Sequence, residues 1–190
     1  MTFKTHFAEA ANLINASATD AVEAQMARAV DAIAASLAAD KALLVCGNGG
    51  SASDALHIAG ELVAQFMMKR RALKAICLGA NMAALTAWAN DYSYESAYAR
   101  QVEAFGEAGG VLLGLSTSGN SKNVVAALER AKAMGMMTIG MTGAGGGKMA
   151  ALCDILLEAP SRSTPAIQQV HICMYHYLCA EVEARFEGVA

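Results

Sequence analysis

Five short apolar runs recur along the chain: ALLVC (42–46), AICL (75–78), VLLGLS (111–116), TIGMT (138–142) and DILLEA (154–159). Runs this short, apolar at nearly every position and bounded by glycine or polar residues, read as strands buried on both faces. Between them lie helical patterns: SDALHIAGELVAQFM after the first run, MAALTAWA after the second and SKNVVAALERAKAMG after the third. A strand, a helix and a further strand close as a right-handed crossover. The alternation therefore predicts an α/β fold, a parallel sheet with helices on both faces.

Two segments precede the first strand. Residues 3–16 and 20–38 carry apolar side chains at helical spacing (Phe7, Ala10, Ala11, Ile14, then Val22, Met26, Val30, Ile33, Leu37), which predicts two entry helices. Ser163-Thr164-Pro165 combines a cap with a first-turn proline, and no breaker follows until Phe186, so 163–186 is expected to be one long helix. The glycine run 143–147 reads as a strand-to-helix turn. A length of 190 residues suits a single domain, 1–190, with a substantial core.

Hydrophobic residues make up 55% of the chain and aromatics only 6%, more apolar surface than a small monomer hides, so an oligomer is expected. No segment has the ~18 consecutive apolar residues of a membrane span, and MTFKTHFAEAANLIN is amphipathic, unlike a signal sequence. A soluble protein without a membrane partner follows. With a net charge of −3 and no basic cluster longer than Lys69-Arg70-Arg71, the chain lacks a footprint for nucleic acid. Five cysteines, odd in number and without a CxxC pair, read as reduced thiols in a cytoplasmic core.

Two strand-to-helix loops carry the chemistry. In GNGGS (47–51) the glycines let backbone approach a ligand, and the following helix presents unpaired N–H groups to an anion. It lacks the lysine of a P-loop and the third glycine of GxGxxG, so nucleotide binding is disfavoured. In LSTSGNSKN (115–123) four hydroxyls, Ser116, Thr117, Ser118 and Ser121, form a dense set of neutral donors suited to a sugar phosphate. Read singly, Ser121 is a helix cap and the others a polar turn. The two strand–loop–helix units, 42–66 and 111–135, are placed to face one crevice at the carboxyl edge of the sheet.

His57 and Glu61 share a helix face, as a hydrogen-bonded surface pair or as a metal- or proton-handling pair beside the phosphate loop. Gln168 and His176 stand among apolar residues of the long terminal helix, where polar groups need partners. Eight residues separate them, ~12 Å of rise and ~80° of rotation, so one straight helix does not aim both at one atom. A site shared between subunits, one of the two coming from a neighbour, is expected. His171 and His6 read as core filler and exposed surface.

The stretches GNGGSASDALHIAGELV, ALTAWANDYSYESAYARQVEAFG, GGVLLGLSTSGNSKNV, MTIGMTGAGGGKMA and TPAIQQVHICMYHYLC, in this order, resemble the sugar isomerase (SIS) domain and, within it, the phosphoheptose isomerases. The resemblance covers about residues 40–182 and implies a flavodoxin-like three-layer αβα sandwich with five parallel strands, residues 1–39 serving oligomerisation. It implies isomerisation of sedoheptulose 7-phosphate to D-glycero-D-manno-heptose 7-phosphate, toward a nucleotide-activated heptose, by a homotetramer with interfacial sites. By motif, Glu61 corresponds to the general base and His176 to the general acid. Asn48, Gly49, Gly50, Ser51, Asn90, Asp91 and Gln168 correspond to substrate contacts, and Ser116, Thr117, Ser118 and Ser121 to the phosphate site. Some members bind zinc through the residues matching His57, Glu61, Gln168 and His176, and zinc is the expected cofactor. Pro165 departs from the family pattern, standing where relatives carry a polar residue. A non-catalytic relative, an adaptor for a replication initiator or a sugar-phosphate sensor, is the rival reading; it requires neither Glu61 nor His176.

Overall fold

The structure, a computed structural model, describes residues 1–188. Strands β1 (Leu43–Cys46), β2 (Ala75–Cys77), β3 (Val111–Ser116), β4 (Met137–Thr142) and β5 (Ile155–Glu158) form one parallel sheet in the order β2-β1-β3-β4-β5. All five lie within the apolar runs or one residue beyond them. Alternation along the strands sends Leu43, Val45, Leu113 and Leu115 into one core and Leu44, Cys46 and Leu112 into the other. Burial on both faces is why the runs are continuously apolar.

The helices are α1 (Phe3–Ser17), α2 (Asp20–Ala38), α3 (Gly50–Val63), α4 (Met82–Asp91), α5 (Ala97–Phe105), α6 (Lys122–Ala133) and α7 (Thr164–Ala184), with a 3₁₀ turn at Gly147–Ala151. One core joins α2, α3 and α7 to the sheet and the other joins α5 and α6 to its opposite face, giving three layers. The entry helices belong to the first layer: α1 and α2 pack on α7, and α2 also on β5.

Three details differ from the sequence pattern. The helix after β1 ends at Val63, not at Met67, because Glu183 takes the N–H groups of Phe66, Met67 and Met68 at 2.9, 2.6 and 2.9 Å and holds them in a loop. Helix α5 was not separated from the polar stretch around it; Tyr98, Gln101 and Val102 form its narrow buried stripe. Ser121 and Ser163 occupy the cap positions of α6 and α7, yet neither side chain makes a capping bond.

From β1 the chain moves outward to β2, then crosses back to β3 and continues outward to β5. The order reverses between β1 and β3, so the loops leaving their carboxyl ends diverge to opposite faces and leave a crevice. GNGGS and STSGNS are those two loops.

Candidate active site

Helix amino termini dominate the crevice. Gly49, with φ of 56°, adopts a backbone conformation that side chains disfavour, and it starts α3 without a side-chain cap. Helices α6 and α7 also begin uncapped, whereas Thr2, Thr19 and Asn81 cap α1, α2 and α4. Uncapped N–H groups at the sheet edge form a cradle for an anion. Beside them the hydroxyls of Ser116 and Ser121 lie 2.8 Å apart and those of Ser116 and Ser118 3.5 Å apart. Thr117 turns toward the first turn of α7, its hydroxyl 3.3 Å from that of Thr164. Three of the four expected hydroxyls thus converge, and the fourth joins the two loops' rim to α7.

The loops are tied across the crevice by paired amides. Asn48 Nδ2 donates to Asn123 Oδ1 and Asn123 Nδ2 to Asn48 Oδ1, each at 2.8 Å. The Tyr94 hydroxyl donates to Asn48 Oδ1 at 2.7 Å and that of Tyr98 to the Gly47 carbonyl at 2.6 Å. Ser51 is buried in the first turn of α3. Gly50 leaves room for the Gln168 side chain, whose amide nitrogen would lie 2.5 Å from an added Cβ. Asn123, Tyr94, Tyr98 and Thr164 were missed at the sequence level. Asn123 lies in the quoted loop motif, but only folding gives it Asn48 as a partner.

A second group lies farther along α3, where this helix packs on α7. His57 Nε2 is 2.8 Å from Glu61 Oε1, and its Nδ1 is 3.0 Å from the Tyr175 hydroxyl. The His176 ring stands edge-on to His57, centroids 5.1 Å apart, and stacks on Phe66 at 5.7 Å. Asp54, one turn before His57, reaches the Tyr175 hydroxyl at 3.5 Å with Oδ1, while its Oδ2 is buried without a partner. Burial pushes the Asp54 carboxyl above its ordinary range, outweighing the opposing influence of Tyr175 and His57. Asp54 and Tyr175 carried no sequence signal beyond their spacing.

The turn bearing Glu61 is anchored from below. Arg70 Nη2 donates to the Glu61 carbonyl at 2.8 Å and pairs with Glu183 at 3.2 Å, both side chains fully buried. Burial pushes the Glu183 carboxyl up, but the N–H groups of Met67, Phe66 and Met68, with Arg70, outweigh it and hold its pKa below the ordinary range. Elsewhere, His171 is buried with Nε2 3.1 Å from the Thr142 carbonyl, and burial lowers its pKa. His6 is exposed.

Other expected residues are not brought together in one chain. Gln168 lies against Gly50 while His176 lies against His57, about two turns of α7 apart. Asn90 and Asp91 bond each other at 2.9 Å on the exposed last turn of α4. Two imidazoles and a carboxylate are donors that zinc accepts, so the residue types on α3 and α7 fit that ion. Among the described residues, no three His, Cys, Asp or Glu side chains of one chain stand placed to hold a metal.

Comparison with known proteins gives one family. The family model described as SIS domain matches residues 6–143. A phosphoheptose isomerase of Crocosphaera subtropica is 51% identical over 153 residues, 80% of this chain and 78% of that protein. Among solved structures, a phosphoheptose isomerase from Neisseria gonorrhoeae has a TM-score of 0.88 and 38% identity, covering 95% of this chain and 96% of its own. Another from Francisella tularensis has a TM-score of 0.91 and 33% identity, covering 97% and 100%.

Proposed function

The chain belongs to the SIS domain family, and from that premise we propose that it interconverts sedoheptulose 7-phosphate and D-glycero-D-manno-heptose 7-phosphate. The observation that carries the proposal is the Glu61 carboxylate, hydrogen-bonded to His57 on α3, with the His176 ring of α7 packed edge-on against that imidazole. A sugar-phosphate sensor or an adaptor needs a pocket or a surface; it needs no carboxylate and imidazole set together.

The chemistry is an intramolecular proton transfer. Glu61 removes a proton from C1 of the open-chain ketose, leaving a cis-enediol, and returns a proton to C2 to give the aldose. His176 assists ring opening and exchanges the proton of the oxygen whose carbonyl character moves between the two carbons. Bonds and protons balance, and no oxidant or reductant is consumed. The C7 phosphate is held by Ser116, Ser118 and Ser121, with Thr117 at the rim, and by the amino termini of α3 and α6. Asn48, Gly49, Gly50 and Ser51 position the sugar by backbone and amide groups, with Asn90, Asp91 and Gln168 as further contacts.

His57, Glu61 and His176, with Gln168 from a neighbouring subunit, would hold a zinc ion, which when bound supplies polarisation of the substrate oxygens. From Gly50 to Glu61 the rise along α3 is ~16 Å, longer than an extended heptose phosphate. That span supports a phosphate cradle from one subunit serving the base of another, in a homotetramer built partly through residues 1–39. Exposed Phe3, Phe7, Met67 and Tyr177 supply apolar surface for such an assembly. The five thiols are free, which supports a cytoplasmic setting.

Incubating purified protein with sedoheptulose 7-phosphate and following the heptose product tests the activity. Glu61→Gln and His176→Ala are each expected to lower kcat by roughly 10²–10⁴. A wild-type protein without turnover that still binds the sugar phosphate would identify a sensor.

A further inference from the structure

We infer that Tyr175, backed by Asp54, is the positioning residue of His57, gripping the imidazole by Nδ1 so that Nε2 alone is presented to Glu61. This deepens the isomerase reading, and its kinetic consequence rests on that reading.

An imidazole on a helix face can rotate and offer either nitrogen. Here both are engaged from opposite sides, Nδ1 by Tyr175 at 3.0 Å and Nε2 by Glu61 at 2.8 Å. Tyr175 is itself immobilised: it is 1% exposed, with its ring edge-on to both His57 and His176 at centroid distances of 5.4 and 4.9 Å. Asp54, His57 and Glu61 stand at i, i+3 and i+7 on α3 and share one face, so Tyr175 meets the row from α7.

The Tyr175 hydroxyl holds one edge of the ring and the Glu61 carboxylate meets the other, so the imidazole cannot turn about its axis without losing both contacts, and Nε2 is kept on the Glu61 side. With the Nδ1 side held by Tyr175, Nε2 is also the nitrogen open to a metal.

The four histidines make the test tractable by histidine-selective ¹⁵N labelling, with the His57 ring assigned through His57→Gln. In chelator-treated protein, Tyr175→Phe is expected to shift the His57 Nδ1 resonance while the ring signals of buried His171 stay in place. The same variant is expected to lower kcat about tenfold with KM unchanged, the scale of losing a partner behind a metal- or substrate-facing ligand. An unmoved His57 Nδ1 signal overturns the inference, as does a change that moves His171 equally, which marks general loss of packing. If the wild-type protein fails to turn over the heptose phosphate, the isomerase reading falls while the ring spectra still decide the role of Tyr175.

Discussion

Ser116 bonds Ser121 and stands 3.5 Å from the Ser118 hydroxyl, and Asn48 and Asn123 bond each other, so the crevice residues hold one another in place. A phosphate entering such a set replaces weak hydroxyl–hydroxyl contacts with charge-assisted bonds, which are roughly twice as strong. Ser121→Ala is therefore expected to raise KM for the heptose phosphate by about 10–100-fold, the equivalent of 1.5–3 kcal/mol for one bond to a charged group, with little change in kcat. Initial-rate kinetics across substrate concentration check this. A fall in kcat at unchanged KM would remove Ser121 from phosphate binding. The four hydroxyls were legible from sequence because they crowd one loop. Asn123 was not, since its partner Asn48 stands 75 positions away.

At the scale of elements, the long helix α7 is the hub. It carries Gln168 to Gly50, His171 to Thr142, Tyr175 to His57 and Glu183 to the loop after α3. Glu183 and Arg70 form a buried pair whose hydrogen bonds end α3 and steady the Glu61 turn. Breaking such a pair strands a buried charge, so Glu183→Gln is expected to cost about 3–5 kcal/mol in chemical denaturation. Because the folded pKa of Glu183 is lowered, its contribution is fully present above the unfolded-state pKa of about 4.3. It is lost as pH falls through the lower folded-state value. The wild-type protein should lose stability on acidification below about pH 5, and the Glu183→Gln protein should show a flatter acid limb. Parallel acid limbs would show that the carboxylate contributes nothing to that slope. The extent of α7 was legible because periodicity runs unbroken from its first-turn proline, whereas the end of α3 was set by Glu183, 120 positions beyond Val63.

For the whole molecule, the ~16 Å between the two ends of the candidate site along α3 leads to a complementation experiment. Glu61→Gln subunits and Gln168→Ala subunits are each expected to be nearly inactive as homo-oligomers. Unfolded together and co-refolded, they should regain part of the wild-type activity, because some interfaces then join an intact Glu61 to an intact Gln168 from different chains. A mixture no more active than the sum of the two preparations would place the whole site in one subunit. Native mass measurement of the wild-type protein, with a tetramer expected, sets the frame for that result.

The sequence by itself determined the five strands, most of the helices, the glycine-rich and hydroxyl-rich make-up of the two loops, and the donors His57, Glu61, Gln168 and His176 as residues to watch. These are local properties: periodicity, turn chemistry and the crowding of donors survive in a linear string. Only the tertiary structure decided the strand order that opens the crevice between β1 and β3, the Asn48–Asn123 tie and the row from Asp54 through Tyr175 to His57 and Glu61. His57 and Tyr175 lie 118 positions apart, and contact at that separation is fixed by how α3 and α7 pack on the sheet, not by the residues that flank either one.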